Sequence, residues 1–271
     1  MNNLVIRVVF ALVAIPICLF LIWFNEASRL TMITALIAVT SWEWARMVTQ
    51  KIGGPSMAIA SPAVSILFVL AWIFSTRYPI ALPSVAVMAA AYYLSASFAS
   101  VGIANLFPWL AMHALGPIYL GLWGGMLVRL LGPGHGFSTS APFIFVMISM
   151  WVCDTFAYFT GRLLGRHKMA PEISPKKTWE GAFGGTIATM ALFVLLGPLV
   201  FHSPLWVNLI LGILLSIAGQ AGDLFESALK RWADTKDSSH LFPGHGGVFD
   251  RLDSLFLAGP LTVVIFAWIR G

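Results

Sequence analysis

The sequence predicts an all-α integral membrane protein with about nine transmembrane helices, and two observations lead to this prediction. The chain of 271 residues is 59% hydrophobic and 10% charged, whereas about a quarter of the residues in a typical soluble domain carry charge. Several apolar runs also reach the roughly 20 residues that cross a bilayer as a helix. Backbone groups in lipid must find partners within their own segment, so these runs have to be helical.

Hydropathy places the expected spans one after another along the chain. The first run, residues 4–24, is too long for the apolar part of a signal peptide and has no small-residue cleavage site after it. We therefore expect it to be the first span. The stretch 80–130 contains proline breaks and allows other divisions. The expected spans are 4–24, 28–48, 57–75, 80–101, 106–130, 141–163, 181–201, 205–229 and 252–269.

Basic residues set the expected orientation. Nine of the 16 Lys and Arg lie in, or directly beside, the connections between spans six and seven and between spans eight and nine, whereas the connection "FHSPLW" has none. Because cytoplasmic loops of membrane proteins are enriched in Lys and Arg, we expect the N-terminus inside and the C-terminus outside. The net charge of +5 does not indicate a nucleic-acid-binding protein, since it is spread over loops between spans.

Acidic residues suggest how roles are divided along the chain. Nine of the eleven lie between Asp154 and Asp253. We expect residues 1–140 to form a transmembrane scaffold and residues 141–271 to form the catalytic region of one continuous membrane domain.

One face of the eighth expected span carries unusual polar groups. Asp223, Ser227 and Lys230 follow at i, i+4 and i+7, with Glu226 alongside. Ionisable groups within a membrane are costly and usually face a cavity or a partner. A structural ion pair between helices is the alternative, and we favour a functional site. For Asp154, a second intramembrane carboxylate, the two interpretations are evenly balanced.

The segment before the last expected span, "KRWADTKDSSHLFPGHGGVFDRLD", is dense in charge. Pro243, Gly244, Gly246 and Gly247 indicate a tight turn whose backbone N–H groups can approach an anion. Asp250 and Asp253 lie one helical turn apart at the start of a helix, where N–H groups favour negative ligands or negative side chains. A solvated loop is the alternative. The alternation of acids and bases instead suits a metal–polyphosphate complex.

A second charged connection, "GRLLGRHKMAPEISPKKTWEG" (residues 161–181), contains five basic residues and two prolines. Contact with anionic lipids would explain its charge. It would not explain Glu180 or the Ser-Pro-Lys-Lys-Thr turn, which resembles a phosphate-binding loop.

The run from Ser227 to Asp253 resembles the signature of the phosphatidate cytidylyltransferase family, also called CDP-diacylglycerol synthases. About 27 positions follow the pattern S-x-L-K-R-x₄-K-D-x-S-x₂-F-P-x-H-G-G-V-x-D-R-L-D. The stretches "DTFAYFTGRLLGRHKMAPEISPKKTWEG" and "QAGDLFES" are also similar to that family. Residues 1–150 share little with the family beyond multiple spans and the tripeptide "WEW" at 42–44. Asp234 and Ser239 stand where glycine is common in the family.

The resemblance implies an enzyme of phospholipid biosynthesis that converts CTP and phosphatidate into CDP-diacylglycerol and pyrophosphate. It implies Mg²⁺, with the number of cations open, and a homodimer in the bacterial inner membrane with its active site facing the cytoplasm. It assigns the metal to Asp223 and Asp250, with Asp237 and Asp253 as weaker candidates. Catalysis is assigned to Asp223, Lys230, Lys236, Asp250 and Arg251, and substrate binding to Ser174, Lys176, Lys177, Thr178, Glu180, Ser227, Arg231, His245, Gly246 and Gly247.

The sequence argues against two other functions and leaves a third open. A transporter of an anionic substrate would show polar residues in both halves and an internal repeat, and the sequence shows neither. A phosphatidyltransferase that consumes CDP-diacylglycerol would carry a D-G-x₂-A-R…G-x₃-D-x₃-D motif, which is absent. A cytidylyltransferase acting on another lipid phosphate stays open, because an apolar groove would set that preference.

Overall fold

A computed structural model describes residues 3–75, 77–131, 139–242 and 246–270 of the chain. These residues form ten α-helices and one two-stranded sheet, so the prediction of an all-α protein is confirmed apart from a single short hairpin. The helices are α1 (Asn3–Phe24), α2 (Glu26–Ile52), α3 (Ala60–Phe74), α4 (Ala81–Ser100), α5 (Ile103–Pro117), α6 (Trp123–Val128), α7 (Ala141–Leu164), α8 (Trp179–Phe201), α9 (Leu205–Trp232) and α10 (Phe249–Arg270).

Helices occur at the positions of the expected spans. A π-helical turn at Ile118–Leu122 joins α5 to α6, so these two helices together occupy the position expected for span five. Within the described part of the chain, six helical stretches are long and apolar enough to cross a membrane. The chain is therefore a multi-pass membrane protein, and the count of nine spans stays a prediction. The six stretches are Ala81–Phe98, Ile103–Leu131, Ala141–Leu164, Trp179–Phe201, Leu205–Trp232 and Phe249–Ile269.

The chain folds into two compact units, each built from segments that are distant in sequence. The first unit comprises Met1–Val128 and Trp232–Arg251, and the second comprises Arg129–Arg231 and Leu252–Gly271. Most of the connection between α9 and α10 therefore belongs with the N-terminal helices. The expected division of roles at residue 140 stays a prediction.

The first unit is centred on α2, α3 and α5. Trp44 of α2 is fully buried, and its indole N–H donates to the carbonyl of Met112 at 2.9 Å. Gly116 permits this packing, since a Cβ there would lie 2.5 Å from the Trp44 ring. The neighbouring apolar core consists of Ala45, Met57, Val64, Phe68, Tyr93 and Trp109.

The second unit is centred on the pair α7 and α8. Gly185 of α8 lies against Cys153 of α7, where a Cβ would come 2.8 Å from the Cys153 carbonyl oxygen. An aromatic cluster fills the unit further along these helices, with Phe193 stacked on Phe201 at 5.9 Å between ring centroids. Glycine thus permits close approach of the helices, and buried aromatic rings fill the remaining core.

The basic connection between α7 and α8 forms an antiparallel hairpin of β1 (Lys168–Ala170) and β2 (Ser174–Thr178). Lys168 is opposite Thr178, and Ala170 is opposite Ser174. Thr178 then caps α8, accepting a hydrogen bond from the Gly181 N–H at 3.2 Å. The basic residues of this connection are therefore presented by a defined β-hairpin.

Candidate functional site

Three carboxylates come together in the second unit. Asp223 and Glu226 of α9 and Asp253 of α10 each offer an oxygen atom, and these atoms lie within 4.8 Å of one another. Glu226 is buried, and the other two side chains are partly buried. We call these three residues the carboxylate cluster. Carboxylate oxygens are hard ligands of the kind that Mg²⁺ and Ca²⁺ bind in proteins.

A glycine brings the two helices of the cluster close together. A Cβ at Gly222 would lie 2.5 Å from the backbone carbonyl oxygen of Asp253 and 3.3 Å from the Cα of Ser254. Backbone atoms cannot move aside as a flexible side chain can. The close approach that places Asp253 beside Asp223 therefore requires glycine at position 222.

Two lysines bind the carboxylate cluster. Lys177 Nζ lies 2.6 Å from Asp223 Oδ2, and Lys230 Nζ lies 2.6 Å from Glu226 Oε2 one helical turn away. Ser227 is the third member of the expected polar face, and its hydroxyl donates to Asp223 Oδ1 at 3.4 Å. The ion pair on α9 is therefore Glu226–Lys230, while Asp223 pairs with a lysine from β2.

Hydrogen bonds from α9 and from the start of α8 hold the hairpin and thereby position Lys177 beside Asp223. The guanidinium Nε of Arg231, at the end of α9, donates to the carbonyl of Ile173 at 3.3 Å. At the other end, the Trp179 N–H donates to the carbonyl of His167 at 3.0 Å. Lys177 thus lies on a strand that is held both by α9 and by the start of α8.

Glu180 also stabilises the hairpin. His167 Nδ1 lies 2.6 Å from Glu180 Oε1, and the His167 N–H points to the same carboxylate at 3.2 Å. Thr178 and Glu180 therefore both have structural partners in the second unit. Lys176 is exposed and Ser174 is partly buried.

In the first unit, Asp250 organises the loop between α9 and α10 (residues 233–248). Its Oδ2 accepts hydrogen bonds from the Ser238 N–H at 2.9 Å, the Ser238 hydroxyl at 2.7 Å and the Gly247 N–H at 2.8 Å. Gly246 has a φ of +80°, and a Cβ there would lie 2.8 Å from Asp250 Oδ2. Phe242 N–H donates to the Gly246 carbonyl at 2.9 Å. Pro243 and Gly244 of the expected turn lie outside the described residues.

The structure adds Glu43, which was not among the predicted site residues. It lies on α2, is 0% exposed, and accepts hydrogen bonds from the Ser238 and Ser239 hydroxyls at 3.1 and 2.5 Å. The Val248 and Phe249 N–H groups donate to it at 3.0 and 2.8 Å. The α10 N-terminus thus meets negative side chains, as its position predicted. The signal in the sequence was a single charge within the apolar stretch "SWEWA".

The predicted site residues thus fall into two groups, one in each unit. Asp223 lies with Lys177, Ser227 and the cluster, and its expected pairing with Asp250 across a metal stays a prediction. The sequence places Glu226 beside Asp223 but does not predict its role in the site. His245 lies outside the described residues. The remaining charged candidates are exposed: Arg231, Lys236, Asp237 and Arg251.

Comparison with known proteins covers nearly the whole chain. A sequence model described as the cytidylyltransferase family matches residues 5–269. Two relatives are each 36% identical to this chain over 268 residues, which is 98% of this chain and 94% of the relative. They are the phosphatidate cytidylyltransferases of Brucella abortus (strain 2308) and Brucella suis biovar 1. That of Staphylococcus saprophyticus is 44% identical over 127 residues, which is 46% of this chain and 49% of its own.

Proposed function

The chain belongs to the cytidylyltransferase family, and we propose that it converts CTP and phosphatidate into CDP-diacylglycerol and pyrophosphate. The observation that carries this proposal is the match over 94% of the length of relatives named phosphatidate cytidylyltransferase. The carboxylate cluster with its two lysines supports it, because the reaction must bring two polyanions together.

The reaction needs no protein nucleophile. A phosphate oxygen of phosphatidate attacks the α-phosphorus of CTP, and the bond from that phosphorus to the oxygen bridging to the β-phosphorus breaks. Pyrophosphate leaves with the electron pair of that bond. A phosphate monoester is already a competent nucleophile at neutral pH, so the side chains have to align the two substrates and neutralise their charge.

Cationic side chains take the phosphate groups in this scheme. Lys177 and Lys230 lie against the carboxylate cluster, where each ammonium group can bind both a carboxylate and an incoming phosphate oxygen. Each unit also carries exposed cations that can attract the nucleotide from water. These are Lys176 and Arg231 in the second unit, and Lys236 and Arg251 in the first.

The carboxylate cluster suits Mg²⁺, which the family resemblance implies. Its three oxygen donors within 4.8 Å are of the right chemical type, and they outnumber the two adjacent lysines by one charge. Asp250 and Asp237 are further candidate ligands. When bound, the ion would neutralise phosphate charge and stabilise the leaving pyrophosphate.

For the membrane arrangement we propose nine spans in the bacterial inner membrane, with the N-terminus and active site on the cytoplasmic side, the C-terminus outside, and a homodimer as the assembly. The positively charged hairpin between α7 and α8 supports this orientation. Fusions of alkaline phosphatase and of a fluorescent protein to the C-terminus test it. Phosphatase activity without fluorescence is expected, and fluorescence without phosphatase activity would reverse the orientation.

Purified protein in detergent, given labelled CTP, Mg²⁺ and phosphatidate, tests the proposed function. The expected product is a labelled CDP-lipid in an amount equal to the pyrophosphate released. A parallel reaction contains an isoprenoid phosphate in place of phosphatidate. If only the isoprenoid phosphate gives a product, the protein is still a nucleotidyltransferase, but the assignment of phosphatidate as its substrate is wrong.

A further inference from the structure

Glu43 is a buried carboxylate whose partners lie about two hundred residues away in sequence. The sequence separation to Ser238 is 195, and the separation to Phe249 is 206. Charged side chains are almost never fully buried unless they are paired or hydrogen-bonded. The four donors to Glu43 come from the α9–α10 loop and the first residue of α10.

The donors to Glu43 come from both ends of this loop. Ser238 and Ser239 lie near its start, whereas Val248 and Phe249 lie where it enters α10. Two of the four are backbone N–H groups at the helix N-terminus, which have no partner within the helix and therefore need an acceptor. A single carboxylate on α2 thus ties the beginning of the loop to its end.

The bonds of Glu43 connect directly to those of Asp250. The Ser238 hydroxyl lies 3.1 Å from Glu43 Oε2 and 2.7 Å from Asp250 Oδ2, so its single hydrogen is shared between the two carboxylates. Gly247 lies between them as well, since a Cβ there would collide with the Ser238 hydroxyl and with Glu43 Oε1. The position of Asp250 therefore depends on Glu43 through Ser238 and Gly247.

We propose that Glu43 is a positioning residue for CTP: through Ser238 and Asp250 it holds the start of α10 in the position in which Arg251 binds the nucleotide phosphates. This inference rests on the proposed function. The loop is assigned to CTP because Lys236 and Arg251 are exposed cations that would attract an anionic, water-soluble ligand. The acyl chains of phosphatidate require apolar surface instead.

The variant Glu43→Gln tests the inference with little change in volume. Glutamine has one accepting oxygen and one NH₂ group, which would face N–H donors at Val248 or Phe249. At least one buried N–H group loses its acceptor, and the loop shifts. We expect the KM for CTP to rise about tenfold, with the KM for phosphatidate changed less than about twofold.

A second readout separates positioning from general stability. CTP should raise the melting temperature of the wild-type protein in detergent, and Glu43→Gln should reduce this CTP-induced increase. Ser41→Ala is the matched control, since Ser41 is also buried on α2 but bonds to Ser65 rather than to the loop. The control should leave the KM for CTP and the CTP-induced increase unchanged.

The outcomes are distinguishable. An active wild type together with an unchanged KM for CTP in Glu43→Gln overturns the inference and leaves the proposed function intact. Parallel changes in kcat and both KM values, with a normal CTP-induced increase, indicate a structural role only and also overturn it. If Glu43→Gln does not fold, Ser238→Ala decides by the same two measurements. A folded wild type that forms no CDP-diacylglycerol overturns the proposed function itself.

Discussion

Lys177 of β2 and Asp223 of α9 form an ion pair, with Nζ 2.6 Å from Oδ2. Both side chains are about three-quarters shielded from solvent, with exposed fractions of 25% and 30%. Ion pairs in such surroundings are less screened than those on an open surface, so the loss of one partner costs more. The pair joins the basic hairpin to the carboxylate cluster, which are separate features in the sequence.

Asp223→Asn should remove most of the activity while the protein stays folded. The amide has the shape of the carboxylate but lacks its charge, and it leaves Lys177 beside a neutral group. We expect kcat to fall at least about a hundredfold, the scale seen when an electrostatic catalytic group is removed. Asp234→Asn is the matched control, because Asp234 also lies 2.6 Å from a lysine, Lys51, but is exposed. Near-normal turnover in Asp223→Asn would remove Asp223 from the mechanism.

Lys177→Met should also lower activity, by about tenfold or more, because it removes a charge-assisted bond and leaves Asp223 uncompensated. Methionine keeps the length of the apolar stem. Lys168→Met is the control, since Lys168 is an exposed lysine on the same hairpin. In the double variant with Asp223→Asn, the two losses should not add, because the residues are in direct contact. Additive losses in steady-state kinetics would show that the pair does not act as a unit.

Gly222→Ala should destabilise the protein and reduce its activity. The new Cβ would come 2.5 Å from the carbonyl oxygen of Asp253, so α9 and α10 must separate and the carboxylate cluster must widen. Overpacking of this kind costs about 1–3 kcal/mol. Gly102→Ala, where a Cβ would meet nothing within 4 Å, is the control for thermal melting in detergent. Equal melting temperatures and activities for the two variants would contradict the close approach of α9 and α10 at Gly222.

Gly246→Ala should impair the loop for two reasons. The φ of +80° disfavours alanine, and the Cβ would press on Asp250 Oδ2 at 2.8 Å. Gly53→Ala separates these effects, since Gly53 has a similar φ of +78° but nothing within 4 Å of a Cβ. We expect both variants to lose about 1 kcal/mol of stability from backbone strain, and only Gly246→Ala to lose activity. Full activity in Gly246→Ala would show that the loop conformation does not affect catalysis.

Asp234→Gly should be nearly neutral. Asp234 has a φ of 56°, the left-handed conformation that glycine adopts without strain, so the substitution relieves the backbone. It also removes the exposed ion pair with Lys51, which is worth at most about 1 kcal/mol. These two small effects oppose each other, and we expect an unchanged kcat and only a small change in melting temperature. A large loss of turnover would instead give Asp234 a direct role at the substrate.

The positions of the helices could be predicted because hydropathy is a local property. The expected span 141–163, for example, corresponds to α7 at Ala141–Leu164. The hairpin was not predicted, because its first strand has three residues and is stabilised by pairing with β2 rather than by its own sequence. Local hydropathy cannot indicate such a pairing.

The candidate site could be predicted only in part, for a similar reason. Asp223 and Lys177 were named individually, since charges within apolar or family-like segments are conspicuous. Glu43 was missed because its role depends on partners about two hundred residues away, which only the folded chain brings near. Ser239 departs from the glycine common in the family, and its hydroxyl donates to Glu43. The sequence offered no sign of that bond.

The most direct test of the central claim follows two labels from CTP. Purified wild-type protein receives phosphatidate, Mg²⁺ and CTP labelled either at the α-phosphate or at the γ-phosphate. We predict that the α-label appears in CDP-diacylglycerol and that the γ-label appears only in pyrophosphate. Transfer of the γ-label to lipid, or no labelled lipid from folded protein, would contradict this prediction.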